Sequence, residues 1–137
     1  MSDRFEATTI DEVEEAVKRF NGFHDDYVAG IEIKFENYKG LDDKGESTGI
    51  GDADKTIILT VNTSAYGKEH NQFVRVEFKE VKSFEITSAP DDDSMWGIGY
   101  TLILSDGSDI KWDFGFLGSG AKFLVTCAKI VFVKQTS

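Results

Sequence analysis

The sequence has one cysteine, Cys127, one proline, Pro90, and two histidines, His24 and His70. A lone thiol excludes an intrachain disulfide, so the Cys frameworks of small secreted domains do not apply. Basic residues are also short: 15 Lys and Arg stand against 25 Asp and Glu, a net charge of −10. Nucleic-acid affinity comes from Lys and Arg displacing phosphate counterions, so this balance argues against a nucleic-acid partner. It argues equally against docking on an anionic membrane. The longest apolar stretch, Phe123 to Val133, is interrupted by Thr126 and Lys129, so no transmembrane helix is expected. The start, MSDRFEATTI, has no basic segment followed by an apolar one. With the lone cysteine, this reads as a cytoplasmic protein without a secretory signal.

What remains is 137 residues, enough for a single core and a single domain. Thirteen glycines beside one proline argue against long disorder, and eleven phenylalanines point to a well-filled core between a helix and a sheet.

One helix is predicted, Ile10 to Phe20. Thr9 is a good N-cap, and Glu12 three residues on completes a capping box. Asp11, Glu12, Glu14 and Glu15 sit toward the positive end of the helix dipole, Lys18 and Arg19 toward the negative end. Ile10, Val13, Val17 and Phe20 make an apolar stripe that Ala16 widens. Asn21-Gly22 stops the helix. A left-handed Gly22 would let Phe23 fold back on Val17.

From there the period is two. Ile31, Ile33 and Phe35 alternate with Glu32, Lys34 and Glu36. Ile57, Leu59 and Val61 mark a second strand, and Val74, Val76 and Phe78 a third. Phe84 and Ile86 mark a short fourth. Met95 to Leu104 and Asp109 to Phe114 flank an Asp106-Gly107 turn, and Phe123 to Val133 closes the chain. The predicted fold is α+β: one N-terminal helix on a twisted antiparallel meander of six or seven strands, curling toward a partial barrel. The helix stripe should cover Ile31, Ile33, Phe35, Val74, Val76 and Phe78.

Two registers compete at the Asp106-Gly107 hairpin. A two-residue turn pairs Leu104 with Asp109 and Thr101 with Trp112, turning Tyr100, Leu102 and Leu104 outward. A three-residue loop pairs Leu104 with Ser108 and sets Leu102 against Ile110, Tyr100 against Trp112 and Ile98 against Phe114. The second buries more apolar surface and is the register predicted, with Thr101 and Ile103 outward.

Chemistry-bearing motifs are few. In Phe23-His24-Asp25-Asp26 a histidine lies beside carboxylates, a pattern that can serve a general base or a metal. A connection between helix and first strand explains it better, because no nucleophile or further ligand set accompanies it. The acidic segments Lys39–Lys55 and Ala89–Ser94 do not follow the EF-hand register. Solvated turns account for Asp42, Asp43, Glu46, Asp52, Asp54 and Asp91 to Asp93. Gly115 to Lys122 looks like a phosphate loop but has Phe123 where Ser or Thr should follow, and a strand where a helix should. Cys127 sits in an apolar strand as a buried thiol. No cofactor motif is present.

The segment Phe20-Asn21-Gly22-Phe23-His24-Asp25, with TIILTVN and FVRVEFKEVKSFEI downstream, resembles a loose group of small acidic uncharacterised bacterial proteins. These look like a short helix, an N-x-F-H-D turn and an antiparallel sheet. The resemblance covers Ile10 to about Ile86 and implies no catalytic residue. Some families of similar type serve as immunity proteins against bacterial toxins.

The expectation is a non-catalytic binding protein of inhibitor or immunity type. Its acidic surface, with Glu32, Glu36, Glu77 and Asp113 on wet strand faces, would steer a basic partner. The alternative is a small-ligand binder or small enzyme with a concave sheet face lined by His24, Trp96, Tyr100 and Trp112. The candidate binding residues are therefore His24, Asp25, Asp26, Trp96, Tyr100 and Trp112.

Overall fold

Among the described residues the chain forms seven strands in one antiparallel sheet, with a single helix and a 3₁₀ turn. The computed structural model describes residues 4–24, 26–36, 44, 54–63, 72–88, 96–117 and 120–136. The chain order is β1 (Arg4–Ala7), α1 (Ile10–Arg19), the 3₁₀ turn Asn21–Phe23 and β2 (Tyr27–Glu36). There follow β3 (Asp54–Asn62), β4 (Gln72–Thr87), β5 (Gly97–Asp106), β6 (Asp109–Leu117) and β7 (Lys122–Thr136). The class is α+β, mainly β.

Helix α1 begins where its cap predicts. Thr9 is extended, and its hydroxyl oxygen accepts the Glu12 N–H at 3.2 Å. Glu12 Oε1 accepts the Thr8 N–H at 3.2 Å and the Thr8 and Thr9 hydroxyls at 3.1 Å. The box thus closes on the residue before the N-cap. These donors, the Thr8 N–H foremost, hold the Glu12 carboxyl below its ordinary value. Val13, Ala16 and Val17 are buried, as the stripe requires. Past the helix Gly22 and Phe23 are both left-handed, with φ of 68° and 57°. Phe23 turns back into the core, but its stacking partner is Phe20, with ring centroids 5.2 Å apart.

The sheet order is β1-β7-β4-β3-β2-β5-β6, and β6 also pairs with β7. The meander holds through β2, β3 and β4, and β5–β6 is a hairpin. It breaks at β7, which lies between β4 and β6. The reason is strand length. The first part of β7, Phe123 to Cys127, is covered by β6, and Ile130 to Val133 is covered by β1. The four residues of β1 are too short and too mixed to read as a strand on their own.

The predicted third and fourth strands are one strand, β4. Glu80 has φ 53°, and the register shifts between Val81 and Ser83. A bulge bends a strand without ending it, so polar residues inside the run did not mean a turn.

The β5–β6 hairpin takes neither of the registers weighed. A two-residue turn at Gly107-Ser108 pairs Asp106 with Asp109, Leu104 with Lys111, Ile103 with Trp112 and Thr101 with Phe114. Gly107 supplies the positive φ, 65°, that such a turn needs. The predicted inward set is therefore outward: Tyr100 is 62% exposed, Leu102 46% and Leu104 45%. The cause lies in β7, which pairs Ile110, Trp112 and Phe114 with Cys127, Val125 and Phe123. That contact turns one face of β6 inward and leaves β5 no choice of face. A shift between Ile98 and Tyr100 then returns Ile98 to the interior.

The helix covers less of the sheet than predicted. Val74, Val76 and Phe78 are buried, but Ile33 and Phe35 are exposed. Only Thr8 and Thr9 separate β1 from α1, which ties the helix to the β1 end, where it packs on β1 and β5.

Trp112 lies at the centre of the core. It stacks on Phe114 at 4.8 Å, meets Phe78 edge-on at 5.8 Å and approaches Phe132 at 5.9 Å and Phe23 at 6.4 Å. Its buried indole N–H has no hydrogen-bond acceptor among the described residues. An unmet buried donor costs about 1–3 kcal/mol. Trp112→Phe should therefore change the unfolding free energy by less than about 1.5 kcal/mol, whereas Trp112→Ala should lower it by about 3–5 kcal/mol. Thr9→Ala should cost about 1 kcal/mol through loss of the cap. Urea denaturation of the three variants measures all of these.

Candidate functional site

Of the six residues singled out in the sequence, the five that the structure describes are not gathered in one place. His24 is exposed in the turn after the 3₁₀ segment, whereas Asp26 is fully buried. Asp25 lies outside the described residues. The Asp26 backbone serves a structural role: its N–H donates to the Phe23 carbonyl at 3.1 Å, and its carbonyl accepts the Ile98 N–H at 2.7 Å. With the Val28 N–H donating to the Trp96 carbonyl at 2.9 Å and the Tyr27–Gly97 pair, this joins β2 to β5. Asp26 and Trp96 therefore meet at that seam through the main chain. Trp96 is half-buried against Phe116, with centroids 5.2 Å apart.

The three aromatics expected to line one concave face are spread over three environments. Trp112 is in the core and Trp96 at the seam. Tyr100 is on the outer face of the sheet, with its ring over Gly115. A Cβ at that glycine would lie 2.0 Å from Tyr100 Cε1, so the glycine makes room for the ring.

The outer face of β5 and β6 carries the most distinctive surface. Tyr100, Leu102 and Leu104 run along β5, and exposed Leu117 ends β6. Apolar side chains exposed together in this way mark interaction sites. Charges punctuate the strip, with Lys111 opposite Leu104 between two acids. Asp113 faces Leu102 across the pair, and Asp106 faces Asp109 directly at the turn. Like charges opposite one another on an antiparallel pair are destabilising. The first turn of α1 packs beside the same turn, where Thr9 and Asp11 share a cleft of about 270 Å³ with Ser105, Gly107 and Asp109. Asp11 therefore adds a further negative charge at this end. The strip escaped the sequence reading because the predicted register buried it. Its one visible signal was the alternation of Tyr100, Leu102 and Leu104 with Thr101 and Ile103.

The other acidic strand residues differ among themselves. Glu77 is buried and internally paired, to Arg75 at 3.0 Å and Lys79 at 3.3 Å. Glu32 lies 3.9 Å from Lys34. Asp54 opens β3, while Asp42, Asp43, Glu46, Asp52 and Asp91 to Asp93 lie outside the described residues. Among the described residues no group of three His, Cys, Asp or Glu side chains is placed to hold a metal ion. None of the helices described is long and apolar enough to cross a membrane.

Comparison with known proteins returns no match to a family model, a curated protein or a solved structure.

Cys127 is buried in β7, and loss of solvation pushes its thiol from 9.0 up to about 12. Thiolate is the reactive form, so the folded protein should resist Ellman's reagent at pH 8 and release one thiol on unfolding. Between pH 9 and 12 the folded thiol keeps a proton that the unfolded chain has lost. Stability from this group is full below pH 9 and falls as pH rises toward 12. Denaturation midpoints against pH should show a shallower alkaline decline in Cys127→Ala.

Proposed function

We propose that this chain is a non-catalytic binding protein, of inhibitor or immunity type, that docks a basic protein on the outer face of β5 and β6. The observation that carries this is the apposition of Asp106 and Asp109 at the tip of the outward strip Tyr100, Leu102, Leu104. Two carboxylates held opposite each other are relieved by an incoming cation. The strip beside them offers the apolar anchors on which interface affinity depends. The net charge of −10 would steer a basic partner during approach. The curled sheet, read as a partial barrel, supplies the rigid backing.

Affinity capture tests it. The chain should retain a basic protein from a bacterial lysate, and retention should fall as salt is raised, because screening shortens to about 10 Å at 0.1 M ionic strength. Leu102→Lys should abolish retention, and Asp106→Lys should weaken it about tenfold or more, with the fold intact by circular dichroism. Retention indifferent to salt and to both substitutions would sink the proposal.

A further inference from the structure

A second surface runs against the charge of the rest of the molecule. Where β1, the end of β7 and the last turn of α1 converge, a cleft of about 260 Å³ is lined by Arg4, Arg19 and Lys134. Its apolar lining is Phe5, Phe20 and Phe132. Three cations thus meet at one cleft in a chain of net charge −10.

The fold explains why they meet. Phe5 and Phe132 are register partners across β1 and β7, with ring centroids 6.5 Å apart. Phe20, at the end of α1, comes to 6.2 Å from Phe132. These rings make an apolar wall. Arg19 closes over it, its guanidinium carbon 4.6 Å from the Phe5 centroid. Stacking a guanidinium on a ring restrains its plane while leaving its in-plane N–H groups for an anion. Arg4 donates through Nη2 to Glu6 Oε1 at 3.0 Å. Neither Arg19 nor Lys134 has a carboxylate partner among the described residues.

We infer that this cleft binds a small organic anion with a flat apolar body, an aromatic carboxylate being the simplest example. The apolar wall takes the body, while the Arg19 fork and the Lys134 ammonium take the charge. The volume lies just under the range of about 300–1,000 Å³ typical of ligand sites, which limits the ligand to a small molecule. The cleft shares no residue with the β5–β6 face, so it stands or falls independently of the proposed protein docking.

The test is an NMR titration of the full chain with benzoate, with acetate and benzyl alcohol as probes of the charge alone and the ring alone. Benzoate should give saturable shifts confined to residues of β1, the last turn of α1 and the end of β7. Acetate and benzyl alcohol should each bind at least about tenfold more weakly. Arg19→Gln and Lys134→Gln should each weaken benzoate about tenfold while leaving the melting temperature in place, and Arg19→Lys should recover part of the loss. The inference is overturned if benzoate produces no saturable shift, if acetate or benzyl alcohol binds equally well, or if both Gln variants bind benzoate like the parent.

Discussion

The long antiparallel ladder between β4 and β7 is the contact on which the rest of the molecule depends. It runs from Gln72–Thr136 to Thr87–Lys122 and joins segments between a quarter and a half of the chain apart. Its bend at Glu80 and Val81 lets one strand face two neighbourhoods. Before the bend β4 lies between β3 and β7. After it, β7 is its ladder partner and β6 lies beyond. The other edge of β7 then recruits β6 and β1 in turn. Everything of functional interest follows from those two recruitments. Holding β6 by Ile110, Trp112 and Phe114 throws Tyr100, Leu102 and Leu104 outward, and holding β1 brings Arg4 and Phe5 beside Lys134 and the end of the helix.

The pairing closes between β2 and β5 through a much shorter seam. Tyr27–Gly97 and the hydrogen bonds of Val28 and Ile98 make it, with the buried Asp26 at its start. The left-handed pair Gly22-Phe23 delivers the chain there from the helix and lodges Phe23 in the core against Phe20 and Trp112. The segment that looked most like chemistry in the sequence, Phe23 to Asp26, is thus first of all a joint. Its histidine faces out and its described carboxylate faces in.

Charge is distributed with the same logic. An acidic end forms where the first turn of α1 meets the β5–β6 turn, and a basic cleft forms where the last turn of α1 meets β1 and β7. One helix sets both, because its acids precede its bases in the sequence and each end packs against a different part of the sheet. Glu77, conspicuous as a wet acidic position, is instead neutralised between Arg75 and Lys79.

Local signals were legible in the sequence because their physics is local. Thr9 and Glu12 marked the helix start, the Val13–Ala16–Val17 stripe its buried face, and alternation located β2, β3, β5, β6 and β7 within a few residues. The absence of a disulfide and the acidity of the chain are likewise properties of composition. The hairpin register was not legible, since two strands considered alone gain most by burying Tyr100 and Leu102, and only the third strand, β7, reverses that balance. The continuity of β4 through Glu80, the short β1 and the meeting of Arg4, Arg19 and Lys134 share this character. Each depends on contacts between residues far apart in the chain, so the sequence by itself determined the elements and their caps, and the tertiary structure decided which face each element shows and which side chains share a surface.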